Sequence, residues 1–395
     1  MTTDSTQSTD ELKVGLVMTT YSPDPTGQHA RMNDVLRYVR RNSSVNISFE
    51  VFVLSWKGQK EASDAYTIHY QEGGKVIRAV TSLSGLLKCR SDLDLVHLIA
   101  FPTWVGFPLE LVNIGKPLVV GPNIGGRMFP WSSFDEPTRE VVKAEKPGLL
   151  RRWRWYGELI ERFKLRFARS RLYPSVRFLA FSEWVQDEVL ARRGVPTDDV
   201  TVLPSGVPTD IFRPGAQQVR DEERLKLLFV GKPTRRKGMR LLAEAIADLD
   251  QRGIRVDVLV AGTDNPPEWL SNLAVTEDRF EFLGRVPRAE LPTYYNAVDA
   301  YVCPSYYEME STTMIEALAC GTPCIATDGR AFREVCDGNG IFFDRGDADS
   351  LAETILEFRQ EKDDWHKRAM AQSDRYDIEQ TFETIMDTYA AIAGR

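Results

Sequence analysis

The feature that most constrains this chain is an alternation that runs through it twice. From Lys13, short apolar runs (KVGLVM, FEVFVLSW, VIRAV, LDLVHLIA, PLVVGP, RFLAFS) are separated by amphipathic stretches. Apolar runs of strand length alternating with helix-period stretches are the pattern of βαβ units, whose parallel strands lie between helices on both faces. A stretch rich in Pro and Gly, VTVLPSGVPTDIFRPG at 200–215, interrupts the pattern. It then restarts with KLLFVGK, VDVLVAGT, FEFLGRV, DAYVCPS, PCIATD and GIFFD, with helical stretches notably at 238–252 and 311–320. At 395 residues the chain also exceeds the roughly 250–300 residues at which single cores stop growing. The expectation is an α/β protein of two doubly wound, Rossmann-like domains facing across a cleft, spanning 11–207 and 208–375. Residues 1–10 read as a disordered tail, and 376–395 as a C-terminal helix crossing back to the N-terminal domain.

Composition narrows the partners. A net charge of −7 argues against nucleic acid. The five cysteines (89, 303, 320, 324, 336) fall in apolar runs, and none of the four histidines has zinc-ligand spacing, so a reducing compartment and no metal are expected. Without a leader or an apolar run approaching the roughly 18 residues that span a bilayer, the chain reads as cytoplasmic. One segment departs from this ordinary balance. In LLRRWRWYGELIERFKLRFARSRLYPSVR, 149–177, nine basic residues stand against Glu158 and Glu161, with Trp153, Trp155, Tyr156, Phe163 and Phe167 interleaved. Such a stretch suits an anionic membrane surface, which would make the protein peripheral on the inner face; arginines snorkelling over an apolar core face are the alternative.

In open α/β sheets, ligands bind outside the carboxyl ends of the strands, so chemistry is sought there. The turn VGKPTRRKG, 230–238, follows a strand and opens a helix; its glycines permit tight turns, and Lys232 and Lys237 place cations where a helix N-terminus already favours an anion. Arg235 and Arg236 read as solvated. In PSYYEMESTTMIEALACGTPC, 304–324, Glu308 and Glu316 lie eight positions apart, with Ser311 or Thr312 as N-cap. Carboxylates suit paired sugar hydroxyls and repel phosphates. Glu316 is also spaced from Thr313 as a capping box, an alternative that Glu308 lacks. Asp92-Leu93-Asp94 reads as a strand border, so no metal is assigned.

These residues resemble the family-4 retaining glycosyltransferases of the GT-B fold. The family's E-x7-E motif is matched by Pro304, Ser305, Glu308, Glu316, Ala317, Gly321 and Pro323, and its G-R-x-x-x-x-K-G loop by Gly231, Lys237 and Gly238, with Lys232 in place of arginine. FLGRV at 282–286, LPTYYNAVDAYV at 291–302 and SGVPTDIFRP at 205–214 add to it. The N-terminal half resembles the family more loosely: Gly27 stands where a glycine pair is common, and His97 has Ile99 where a second histidine is frequent. Met309-Glu310-Ser311 replaces the common Gly-Phe-Gly and leaves Glu310 unexplained.

The resemblance implies a nucleoside-diphosphate sugar as co-substrate and no cofactor. Lys232 and Lys237 would take the diphosphate, with a contact that the point charge of Lys232 cannot make either lost or passed to Arg235 or Arg236, and Glu316 would take the ribose hydroxyls. Glu308 would take a hydroxyl of the transferred sugar, and Val286 would offer backbone groups to the base. Amides from Met309 through Ser311 to Thr312 would touch the sugar or its phosphate. From the N-terminal domain, Gly27 would approach the donor and Asn123 would meet an acceptor, either a glycan or a lipid-linked one; His97 would reach the sugar, the alternative being a histidine at a strand end satisfied by backbone. The implied reaction is metal-independent transfer with retention, with Lys232, Lys237, Glu308 and His97 as the catalytic set. A non-catalytic sugar-nucleotide-binding subunit or sensor is the alternative, favoured by Lys232 and Ile99; an epimerase on the same architecture is a third.

Overall fold

The computed structural model describes residues 11–18, 21, 30–42, 46–53, 56, 65–70, 75–100, 115–123, 134–145, 173–203, 206–215, 224–270, 273, 277–336 and 338–394. Gly27, the first ten residues and 149–172 of the basic segment lie outside them.

The N-terminal sheet holds β1 (Leu12–Met18), β2 (Ile47–Val53), β3 (Tyr66–Tyr70), β4 (Leu95–Ala100), β5 (Leu118–Asn123), β6 (Val176–Ala180) and β7 (Val200–Val202) in the order β3-β2-β1-β4-β5-β6-β7. Its helices include α1 (Ala30–Arg41), α2 (Lys75–Cys89) and α3 (Glu136–Glu145). The run VIRAV, expected as a strand, lies inside α2, and YTIHY takes the strand position instead. VIRAV continues into TSLSGLLKC, where Leu83, Leu86 and Leu87 extend the apolar positions at helical spacing, so the longer pattern wins over the short run.

The second sheet holds β8 (Leu225–Val230), β9 (Val256–Ala261), β10 (Phe280–Phe282), β11 (Ala300–Cys303), β12 (Cys324–Thr327) and β13 (Gly340–Phe343), ordered β10-β9-β8-β11-β12-β13. Between and after these strands run α4 (Met239–Gln251), α5 (Leu291–Tyr295), α6 (Thr312–Ala319), α7 (Arg330–Cys336), α8 (Ala348–Gln360) and α9 (Lys362–Ala371). Among the described residues every strand pairing within the two sheets is parallel. Alternate side chains feed cores on opposite faces: Leu227 and Phe229 pack with α4, while Leu228 packs with α6. The chain is thus an α/β protein of two doubly wound domains. No helix among the described residues is long and apolar enough to cross a membrane.

The last helix, α10 (Ile378–Ala393), follows the second domain in sequence but packs on the first. Ile378, Phe382, Ile385 and Tyr389 complete the core that Val14, Leu16 and Met18 of β1 begin. Each fully buried side chain of this size contributes on the order of 1.5–3 kcal/mol, so this helix is a substantial part of the N-terminal core. On its way it runs beside the outgoing crossing: Val207 N donates to Tyr376 O at 2.8 Å and Ile378 N to Val207 O at 3.1 Å. A Cβ on Gly206 would stand 2.3 Å from Asp377 O, so glycine permits this approach.

Candidate active site

In the second sheet the strand order reverses between β8 and β11, and the loops after these two strands meet. Gly238 closes the 231–238 turn in the left-handed region, φ 69°, with its α-carbon against the next loop: a Cβ there would lie 1.9 Å from Pro304 O. Tyr306 N donates to Arg236 O at 2.9 Å, tying the two loops together.

This contact brings side chains together from two motifs. Lys237 Nζ lies 2.7 Å from Glu308 Oε1, and Arg236 Nη1 lies 2.8 Å from the same oxygen. Arg236 also donates to Tyr307 O at 3.3 Å and sits over the Tyr307 ring. Burial alone would raise the Glu308 carboxyl, but Lys237 and Arg236 outweigh it and hold the group below the usual carboxylate range. Two cations against one carboxylate leave excess positive charge, to which Lys232, exposed on the same turn, adds. Oriented cations at a strand-to-helix turn suit an anion with several oxygens. Arg236 is therefore part of the cluster and not a plain solvated arginine; the signal for it was Lys232 in the arginine position, which leaves a guanidinium contact to be supplied nearby.

Ser311 caps α6, yet its hydroxyl turns to Thr313 Oγ1 and Cys303 Sγ and not to the first-turn amides. Thr312 opens the helix, half-buried, and Met309 inserts into the N-terminal core near Phe134 and Phe181. Val286 is half-buried in the loop after β10.

Glu316 belongs to a second group. Its Oε1 accepts from Arg288 Nε at 2.6 Å and its Oε2 from Tyr295 OH at 3.2 Å, so the capping-box reading is set aside. Arg288 in turn bonds both oxygens of Asp34 on α1, at 2.9 and 2.8 Å. One turn earlier on α1, Arg31 stacks on Phe181 and pairs with Glu310, the acid that stands at the phenylalanine of the common Gly-Phe-Gly. Sequence reasoning missed Arg31, Asp34, Arg288 and Tyr295. The signals were the Arg31/Asp34 spacing on one helix face and an arginine just after FLGRV.

His97 does not reach this cleft. It is fully buried in the middle of β4, its Nε2 donating to Gly121 O and its Nδ1 accepting from Tyr389 OH, each at 2.6 Å. Burial pushes it down to about 4, so it is neutral. The expected catalytic role is corrected accordingly: the strand pleat turns the ring onto α10. Asn123 ends β5. Asp94 accepts from Lys13 N at 2.8 Å and borders β1. Among the described residues, no group of three or more His, Cys, Asp or Glu converges to hold a metal ion. A cavity of about 450 Å³ opens between α3, at Pro137, Glu140 and Lys143, and the C-terminal loops, at Arg235 and Tyr306.

Residues 224–361, which carry both loops, match the family of Glycosyl transferases group 1. The O-antigen chain mannosyltransferase B of Escherichia coli is 24% identical over 246 residues, 57% of this chain and 64% of that protein. The chain spans about half to two thirds of the length of the curated relatives it matches. Among solved structures, sucrose-phosphate synthase from Thermosynechococcus elongatus superposes with a TM-score of 0.70 at 19% identity, covering 97% of this chain and 99% of that one. HepE from Anabaena, in complex with UDP-glucose, superposes with a TM-score of 0.65 at 16% identity over 96% and 100%. At these identities the likeness is one of fold. Residues 224–361 thus carry a match to the group 1 glycosyl transferases, within a molecule of GT-B fold.

Proposed function

We propose that this protein is a retaining, metal-independent glycosyltransferase of the family-4 type, moving a sugar from a nucleoside-diphosphate sugar to an acceptor hydroxyl. The observation that carries this reading is the convergence of Lys237 and Arg236 on Glu308 where the strand order reverses. A diphosphate would lie against Lys232, Lys237, Arg236 and the first turn of α6. Glu308, kept ionised by its two cations, would accept from a hydroxyl of the transferred sugar. As the anomeric carbon–oxygen bond breaks, charge develops on the departing diphosphate, and fixed cations stabilise it most at that moment. The acceptor oxygen bonds to the same face of the sugar, and its proton passes to a diphosphate oxygen. HepE was solved with UDP-glucose bound, which supports a sugar nucleotide as donor. The acceptor is a glycan or lipid-linked hydroxyl, for which the cavity beside Arg235 and Tyr306 offers room.

The test is hydrolysis of UDP-, GDP- and ADP-sugars by the purified protein, paired with thermal shifts in the same panel. One nucleotide sugar should stabilise the protein and be turned over, with turnover lost in Glu308→Ala and Lys237→Ala. No binding across the panel would remove the donor reading. Stabilisation without turnover, with any acceptor, would favour a sugar-nucleotide sensor, the reading that the buried His97 supports.

A further inference from the structure

Helix α1 enters the cleft with Arg31 and Asp34 one turn apart, and both meet a charged partner from the other domain. Arg31, Asp34, Arg288 and Glu316 are 6%, 1%, 6% and 2% exposed. One guanidinium joins two acids from different domains: its Nη1 spans both oxygens of Asp34 and its Nε holds Glu316, while its face lies over Phe212 at 4.9 Å. Such a group is a poor source of stability, because desolvation offsets most of the attraction and apolar residues would fill the space as well.

Its geometry fits another task. Glu316 uses one acceptor position on each oxygen, for Arg288 and for Tyr295, and a carboxylate has about four such positions. The rest suit a vicinal diol, which needs an ionised carboxylate of fixed orientation. The groups facing Glu316 are Arg288 just before α5, Tyr295 at the end of α5, Asp34 across the cleft and Cys320 at the C-cap of its own helix. Burial pushes Glu316 up, and of these groups Arg288 opposes that most strongly. Arg288 stays in place because Asp34 balances it from α1.

We propose that Arg288 is a positioning residue for the donor pocket, holding the Glu316 carboxylate in place for a ribose diol through its second bond to Asp34, so that nucleotide binding and cleft closure are coupled. The proposal rests on the donor reading above. When the cleft opens, Asp34 withdraws while Arg288 keeps its bond to Glu316; when it closes, the acid is fixed from both domains. By linkage, a nucleotide that prefers the fixed acid favours the closed molecule, and closure favours the nucleotide equally.

The experiment measures calorimetric binding of UDP, GDP and ADP across about pH 6 to 8, with small-angle scattering of each protein, free and saturated. For the nucleotide bound by the wild type, Arg288→Met should weaken binding by about thirtyfold or more, since the buried acid loses its counter-ion. The loss should grow toward the acid end, where Glu316 takes up a proton, and Arg288→Lys should restore part of the affinity. Asp34→Asn, nearly the same shape, should weaken binding by roughly threefold to tenfold and enlarge the free protein, with saturating nucleotide returning it to wild-type dimensions. Unchanged affinity and pH profile in a folded Arg288→Met protein would overturn the proposal. If that variant does not fold, wild-type affinity and dimensions in Asp34→Asn would do so. Lowered melting temperatures at constant affinity would mean that the three residues only hold the domains together. A wild type that binds none of the three nucleotides would instead overturn the donor reading, and this proposal with it.

Discussion

Lys237 and Glu308 face each other at 2.7 Å across two loops that leave neighbouring strands, and the acid also holds Arg236. The pairing sets up a test with opposite signs for its two partners. Lys237→Ala should lower donor turnover by about 10²–10³ in kcat, the effect of removing a fixed donor from a developing anion. Glu308→Gln should lower turnover of the sugar nucleotide by a similar factor, yet bind the bare nucleoside diphosphate as tightly as the wild type or more so, since both cations are released from a competing acid. Calorimetry beside donor hydrolysis separates the two. Weaker nucleotide binding in Glu308→Gln would place the acid on the nucleotide and not on the sugar.

The buried imidazole of His97 makes stability depend on pH. Its value falls from 6.5 to about 4 through burial, so in the folded protein it stays neutral while the unfolded chain takes up a proton near 6.5. The stability this contributes is complete above that value and is lost as pH falls toward 4, by about 3 kcal/mol. Urea titrations at a series of pH values should show the slope in the wild type and its absence in His97→Phe. Tyr389→Phe, which leaves Nδ1 without its donor, should cost about 1–3 kcal/mol. Turnover per folded molecule should be unchanged in both.

Arg31 and Glu310 form a buried pair across the cleft, and burial already pulls Arg31 down to about 9. Glu310→Ala should destabilise the protein by about 3–5 kcal/mol, because an arginine is left without its counter-ion. Adding Arg31→Met should recover most of that. Denaturant unfolding of the two single variants and the double variant closes the cycle; equal losses that simply add would mean the pair does not interact.

Gly238 and Gly253 share left-handed backbone, φ 69° and 74°, but differ in surroundings. Nothing lies within 4 Å of a Cβ on Gly253, whereas one on Gly238 meets Pro304 O at 1.9 Å. Gly253→Ala should therefore cost about 1 kcal/mol from backbone conformation alone. Gly238→Ala should cost more than about 3 kcal/mol, because it must also part the two loops. Thermal melts compare them directly, and Gly238→Ala should lose turnover as well.

The two sheets were readable in the sequence because a buried parallel strand writes itself as a local apolar run, as KLLFVGK does for β8. VIRAV misled because five residues cannot distinguish a strand from part of a longer helix. The Lys237–Glu308 meeting was within reach, since both residues follow strands at a reversal of order. The partners of Glu316 were not. Arg288 and Asp34 stand 254 positions apart, and their bond exists only once two independently folded sheets face each other. His97 was misplaced for a smaller reason: it was read at a strand end but lies in the middle of β4, and which face of the pleat it occupies depends on α10, whose docking no local pattern encodes.

The two crossings between the domains lie side by side, with Val207 laced to Tyr376 and Ile378 by backbone bonds and Thr209 Oγ1 donating to Asp377 Oδ2 at 2.5 Å. A single tether would let the halves swing and slide in any direction. A laced ribbon resists sliding and yields chiefly to rotation about one line, as a pin does in a door. Rotation about that line would widen the gap at Glu310 and at Asp34 together.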